Sequence, residues 1–130
     1  MIGLPGDKIR LDEGRLITNG RPALLASLPL FQVNLPRART RTFIQRFERP
    51  PDGVLYRILE LSDSGDRDNF VNISVPNGHY LFMGANQDRF LDSRDTKRVG
   101  LVPEKNIIGP VKFVIWNVAC QRLMMRRITP

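Results

Sequence analysis

The sequence predicts a mainly β fold of antiparallel sheets, rich in turns and poor in helix. Three observations carry this. Short runs alternate polar and apolar residues with the period of two that a half-buried strand imposes, as in Lys8-Ile-Arg-Leu. Ten glycines and ten prolines punctuate 130 residues, the spacing of a turn-rich antiparallel architecture. A helical period is not sustained anywhere before the last dozen residues.

The elements follow in order. Lys8–Leu11 reads as a first strand, and Gly14–Thr18 as a second that runs into Asn19-Gly20, a strong local signal for a tight hairpin turn. From there to about Pro51 the chain reads as irregular, broken by Pro22, Pro29, Pro36, Pro50 and Pro51, with one plausible strand at Thr42–Phe47. Asp52-Gly53 turns it into a strand over Val54–Leu61, in which Val54, Tyr56 and Ile58 alternate with Leu55, Arg57 and Leu59. A polar loop from Ser62 to Asn69 precedes a strand over Phe70–Val75. Asn77-Gly78 makes another turn, into a strand at His79–Met83, and a charged loop then runs to Arg98. Val99–Val102 and Ile107–Trp116 read as closing strands, and Val118–Arg127 as a short helix.

The length suits one domain over residues 1–130. With 42% hydrophobic residues a core is available, which excludes wholesale disorder. One cysteine, Cys120, excludes an intrachain disulfide framework and any multi-cysteine zinc site, and one histidine, His79, excludes histidine clusters around a metal. No apolar stretch approaches the roughly 20 residues of a membrane span, and the residues as written show no export signal. The formal charge is +7. Sixteen of the cations are arginines; Arg37, Arg39 and Arg41 would share one side if residues 37–41 are extended, and Arg46 and Arg49 follow them. Such a stripe suits lipid phosphates as well as a solvated strand face. The interleaved aromatics of an RNA-binding sheet are missing, so no nucleic-acid partner is expected.

Two blocks carry sharper information. The first is Gly3-Leu-Pro-Gly-Asp7; the second runs from Val75-Pro-Asn-Gly-His-Tyr-Leu-Phe-Met-Gly84 through Asn86–Arg94 to Val99–Gly109. Gly3, Gly6 and Gly84 suit tight turns or close chain approach, while Pro5 and Asp7 complete the first turn. Asp92 and Arg94 are two apart in a loop and can pair, bracing it; Asn86 and Asp88 can cap turn amides. In order and spacing these blocks resemble the bacterial type I signal peptidases, in which K-R-V-[IV]-G-L-P-G-D is followed by a variable insertion and then by V-P-x-G-x-Y-F-x-M-G-D-N-R-D-N-S-x-D-S-R. The resemblance covers roughly half the chain.

That resemblance implies a domain of coiled antiparallel sheets, with residues 21–70 as the variable insertion. It implies a serine endopeptidase of the inner membrane, its catalytic domain on the periplasmic side, that removes signal peptides from exported preproteins. No metal or other cofactor is implied. The chemistry is a Ser nucleophile with a Lys base kept neutral by burial. The family serine lies in an S-x-M-x-P-T block, which these residues lack. In the motif register Met1 takes the Val position, so the Lys and its Arg would fall immediately ahead of it. No catalytic residue is therefore assigned here. The expectation is a chain truncated at its N-terminus, through a start codon read inside a longer gene, and inactive by itself.

The second block also departs from the pattern. Ala85-Asn86-Gln87 stands where D-N-R is usual, and Arg89-Phe90 where N-S is usual. The family serine at the Phe90 position orients the lysine, which a phenyl ring cannot do. Asp88, Asp92, Ser93 and Arg94 keep the pattern, so the loop survives in outline.

Other chemistries fit less well. A triad of Ser93, Asp92 and His79 has the residue types but needs a geometry that spacing does not supply. Cys120 reads as a buried small side chain, and Asp63, Asp66 and Asp68 as a solvated acidic loop without the calcium-loop pattern. Two alternatives from other classes stand beside the first reading. One is a non-catalytic β-rich protein whose arginine stripe contacts an anionic membrane or a protein partner. The other is a conjugation-system processing peptidase of the same fold.

Overall fold

A computed structural model describes residues 1–35, 39–61, 69–86, 91–117 and 122–127. The fold is mainly β and antiparallel, as the sequence predicts. Strands β1 (Lys8–Asp12), β2 (Arg15–Thr18), β3 (Arg21–Pro22) and β7 (Phe70–Ser74) form a sheet in the order β3-β2-β1-β7. β4 (Leu24–Leu35), β5 (Arg39–Arg49) and β6 (Tyr56–Glu60) form a second sheet in sequence order. Two small pairs complete the fold: β8 (His79–Tyr80) with β9 (Val102–Pro103), and β10 (Phe113–Asn117) with β11 (Arg122–Arg127). The only helix among the described residues is a 3-10 turn at Glu104–Asn106.

Both turns of the first meander are two-residue hairpins built on left-handed backbone. Glu13 and Gly14 have φ 48° and 75°, and Asn19 and Gly20 have 53° and 77°. That conformation matches the twist of the flanking strands, which is why Asn-Gly reads so clearly. The alternation in β1 also holds: Ile9 and Leu11 are buried while Lys8, Arg10 and Asp12 are exposed. Ile9, Leu11, Leu16, Ala23, Val75 and Leu81 form the main core, with Ile2, Ile73, Met83 and Leu101 packed against it.

Four sequence expectations need correction. The segment to Pro51 is not irregular, because it contains the two longest strands, paired from Leu24↔Arg49 to Leu35↔Arg39. Pro22 and Pro29 sit where no ladder donor is required. Pro22 is in the outer strand of its sheet; Pro29 falls in the outer strand β4, at a register shift between Leu28 and Phe31. Val99–Leu101 and Ile107–Lys112 are not strand; only Val102–Pro103 and Phe113–Asn117 are. The His79–Met83 strand is two residues long, continued only by an isolated bridge from Leu81 to Gly3. Finally, Arg122–Arg127 is a strand rather than helix, since pairing with β10 outweighs its helix-forming composition. Residues 118–121, including Cys120, lie outside the described residues, as do the 62–68 loop and Arg37.

Candidate active-site scaffold

The two motif blocks, far apart in sequence, are hydrogen-bonded to each other. Ile2 and Gly3 N–H donate to Leu81 O at 2.8 and 3.1 Å, and Leu81 N–H returns to Gly3 O at 3.0 Å. Gly6 N–H reaches Val75 O, and Val75 N–H reaches Asp7 O, both at 2.8 Å. Gly3 is required by this approach. A Cβ there would stand 3.0 Å from Ile9 Cγ1, 3.1 Å from Leu81 Cβ and 3.2 Å from Val75 Cγ2. Pro5 and Gly6 form the turn itself, with Gly6 at φ 91°. Asp7 then locks it: Oδ2 accepts from Leu4 N–H and Oδ1 from Asn19 Nδ2, each at 2.8 Å.

The second block folds into a braced loop. Arg94 grips Asp92 through two parallel hydrogen bonds, Nε to Oδ1 at 2.9 Å and Nη2 to Oδ2 at 2.8 Å. Both side chains are nearly inaccessible, at 2% and 5% exposure, so the pair is a buried one and not a surface ion pair. The same carboxylate caps Gly84 N–H at 3.0 Å and Arg94 N–H at 3.1 Å. Burial by itself would raise the Asp92 pKa; the guanidinium and the two amides outweigh it and hold the carboxyl below its ordinary range. Ser93, between them, is fully buried: its Oγ accepts from Phe82 N–H and its N–H donates to Phe82 O, both at 3.0 Å. It fastens the loop to the segment that follows β8. His79 hydrogen-bonds within its own turn, to Asn77 O, and takes no part with Ser93 or Asp92.

Asn86 is placed by the other sheet. Leu59 N–H donates to Ala85 O at 2.8 Å, and Leu59 and Asn86 form a parallel bridge. Asp88 and Phe90 lie outside the described residues, so their expected roles stay expectations. Sequence reasoning brought out Gly84, Asp92, Ser93 and Arg94 but missed Glu48 and Tyr56. These two face each other across β5 and β6, and the Tyr56 hydroxyl donates to Glu48 Oε2. Burial raises the Glu48 pKa, an effect the Tyr56 hydroxyl, the Leu16 N–H and the nearby Arg94 only partly offset. Burial, then the charge and hydrogen bonding of Glu48, push the Tyr56 phenol up as well. Nothing local in the sequence marks Glu48 as buried.

Two open cavities flank the first residues. One of ≈ 410 Å³ lies between Met1, Leu4, Asn19 and the Pro50–Val54 turn; the other, of ≈ 290 Å³, lies between Met1, Ile2, Tyr56, Met83 and Gly84. Burial lowers the pKa of the Met1 amino group that they share. Among the described residues no three metal-ligating side chains come together, and no helix is long and apolar enough to cross a membrane.

Comparison with known proteins agrees with the motif geometry. The family described as "Signal peptidase, peptidase S26" matches residues 1–116. The chain is 32% identical over 136 aligned residues to "Signal peptidase I" of Pseudomonas aeruginosa, covering 89% of this chain and 41% of that protein. It is 32% identical to "Signal peptidase I" of Rickettsia typhi, over 88% of this chain and 43% of that protein. It is 27% identical to "Signal peptidase IB" of Staphylococcus aureus, over 89% and 51% respectively. The chain thus spans about half or less of the length of these relatives. No solved structure matches it. With the match extending over 116 of its residues and its two motif blocks bonded as one unit, the chain belongs to the signal peptidase family, peptidase S26.

Proposed function

We propose that this chain is the scaffold of a signal-peptide endopeptidase domain, serving removal of signal peptides from exported preproteins at the outer face of the inner membrane. The carrying observation is the joined pair of motif blocks, Gly3–Asp7 on Val75–Leu81, within the family match. Residues 1–130 act as one domain in this reading. Residues 21–70 are its variable segment, which leaves the first sheet after β3 and returns to it at β7.

We further propose that these 130 residues do not cleave by themselves. What supports this is that they contain no S-x-M-x-P-T block. What they supply is the frame: a turn held by Asp7 and a loop held by Asp92 and Arg94. The experiment is incubation of the purified chain with a signal-peptide substrate. The expected result is no cleavage. Cleavage at the signal-peptide junction would overturn the inactivity, and its loss in Ser93→Ala or Lys8→Ala would then place the nucleophile or base within these residues.

A second reading has its own support. Residues 14–47 contain six arginines and no acid, and β4 carries no charged side chain. Leu24, Leu25, Leu30 and Phe31 are exposed along it, with Arg41 and Arg49 exposed on β5. Apolar side chains beside exposed arginines suit an anionic bilayer surface. Vesicles containing phosphatidylglycerol should bind the chain in low salt and release it as salt rises. Absence of binding, or binding unaffected in Arg37→Ala/Arg39→Ala/Arg41→Ala, would sink this reading.

A further inference from the structure

The first sheet has two faces of opposite character. Ile9 and Leu16 are fully buried on one of them, and strand alternation turns their neighbours outward. Those neighbours enclose an open cavity of ≈ 430 Å³, lined by Lys8 and Arg10 of β1, Ile17 and Gly20, and Asn72 and Ser74 of β7. Pairing sets them side by side: Lys8 stands opposite Ser74, and Arg10 opposite Ile17. Lys8, Arg10, Asn72 and Ser74 are exposed, with Ile17 half-buried beside them. All four polar side chains can donate hydrogen bonds: an ammonium, a guanidinium, an amide and a hydroxyl. Among the described residues no acid lines the cavity.

The acids nearby in the chain do not cancel this charge. Asp7 is taken up by Leu4 N–H and Asn19 Nδ2. Asp12 meets Arg10 Nη2 at 3.3 Å, with 45% and 54% of the Arg10 and Asp12 side chains exposed. So exposed a pair holds weakly and leaves other guanidinium N–H groups for a ligand. Among the described residues Lys8 has no ion pair. Two cations thus share one face of one strand, about 7 Å apart along it. An anion seated between them relieves their repulsion. A planar carboxylate is satisfied by a single guanidinium fork, whereas donors converging from two strands suit a tetrahedral anion with several oxygens. We propose that the outer face of the first sheet is a phosphate-binding site. Lys8 and Arg10 supply the charge, and Ser74 and Asn72 supply neutral hydrogen bonds. The phosphate is a free ion or the phosphate of a lipid headgroup, since both present the same oxygens to these donors. The site faces away from the core in which Leu81 packs, and it requires nothing of the cleavage reading.

The experiment is an NMR titration of the purified 130-residue chain with inorganic phosphate, at ionic strength held constant with sodium chloride. Saturable shifts are expected for the Lys8, Arg10, Asn72 and Ser74 amides and for Arg10 Nε, and none for Ile58 in the second sheet. Lys8→Ala and Arg10→Ala should each weaken binding about tenfold or more, the scale of a hydrogen bond to a charged group. Ser74→Ala keeps the net charge and should weaken binding about threefold. Lys97→Ala/Arg98→Ala removes two exposed cations elsewhere and should leave affinity within about twofold. The second arm uses phosphatidylglycerol vesicles at the same ionic strength. Vesicle binding that falls in Lys8→Ala/Arg10→Ala and persists in Lys97→Ala/Arg98→Ala supports the headgroup as source. Saturable phosphate binding, with vesicle binding alike in the two double variants, supports the free ion. The proposal is overturned if phosphate gives no saturable shift and the vesicles do not distinguish the two double variants. It is overturned equally if Lys97→Ala/Arg98→Ala weakens phosphate binding as much as Lys8→Ala/Arg10→Ala does. Should Lys8→Ala or Arg10→Ala fail to fold, Lys8→Gln and Arg10→Gln carry the same expectations.

Discussion

Asp92 spreads its carboxylate over the Gly84 amide, the Arg94 amide and the buried Arg94 guanidinium. Removing that carboxylate leaves a guanidinium in a dry site without its main counter-charge. Asp92→Asn should therefore cost about 3–5 kcal/mol in urea unfolding, far above the roughly 0–1 kcal/mol of a surface pair. The pH dependence has a definite sign. Because folding lowers the Asp92 pKa, its stabilisation is present above the unfolded value, about 3.9, and is lost as pH falls through the lower folded value. Asp92→Asn should flatten that acid limb. Glu48 runs the other way: its raised pKa means its contribution is largest below the ordinary carboxylate range and declines as pH rises through the folded value. Gly3→Ala should cost about 1–3 kcal/mol by overpacking, since the new methyl meets Ile9, Leu81 and Val75 together. At this scale the sequence is readable where partners are neighbours. Asp92 and Arg94 are two residues apart, and a loop lets both face one way. Glu48 is unreadable, because what surrounds it includes Leu16 of β2, more than thirty residues away in the chain, as well as Tyr56 across the β5–β6 pair.

The β4–β5 hairpin shows the same division one level up. Asn19-Gly20 declared its hairpin because the left-handed backbone it needs is chemistry carried by those two residues. β4 declared nothing. It is an outer strand whose leucines occur at both odd and even positions, so no alternation separates its faces. β11 misled for a related reason: Leu, Met and Arg favour helices in isolation, and only the partner strand β10 decides otherwise. An outer strand with no charge along its whole length is also a template for pairing with another chain. Leu30→Lys places a charge at an exposed position of that strand. It should reduce concentration-dependent self-association in light scattering while leaving stability within about 0.5 kcal/mol, as surface changes usually do.

The two larger sheets meet at the Ala85–Asn86 segment. The first sheet carries the main core, and the second buries Ile58 and Phe43 on its own strands. The Leu59 N–H on Ala85 O ties the second sheet to the segment that follows the first. Leu81→Ala should cost about 2–5 kcal/mol, since Leu81 is fully enclosed between the motif blocks. Ile58→Ala, in the other sheet, should shift the same single unfolding transition seen by circular dichroism, rather than split it. The pairing pattern also sets an order of assembly. β4, β5 and β6 each pair with a neighbour in the chain, so their closures are short and cheap in chain entropy. β1 must wait for β7, which follows the entire second sheet in sequence. During synthesis the second sheet is therefore complete while the loop it grips is still unmade, and the uncharged flank of β4 is on display before the rest of the molecule exists to accompany it.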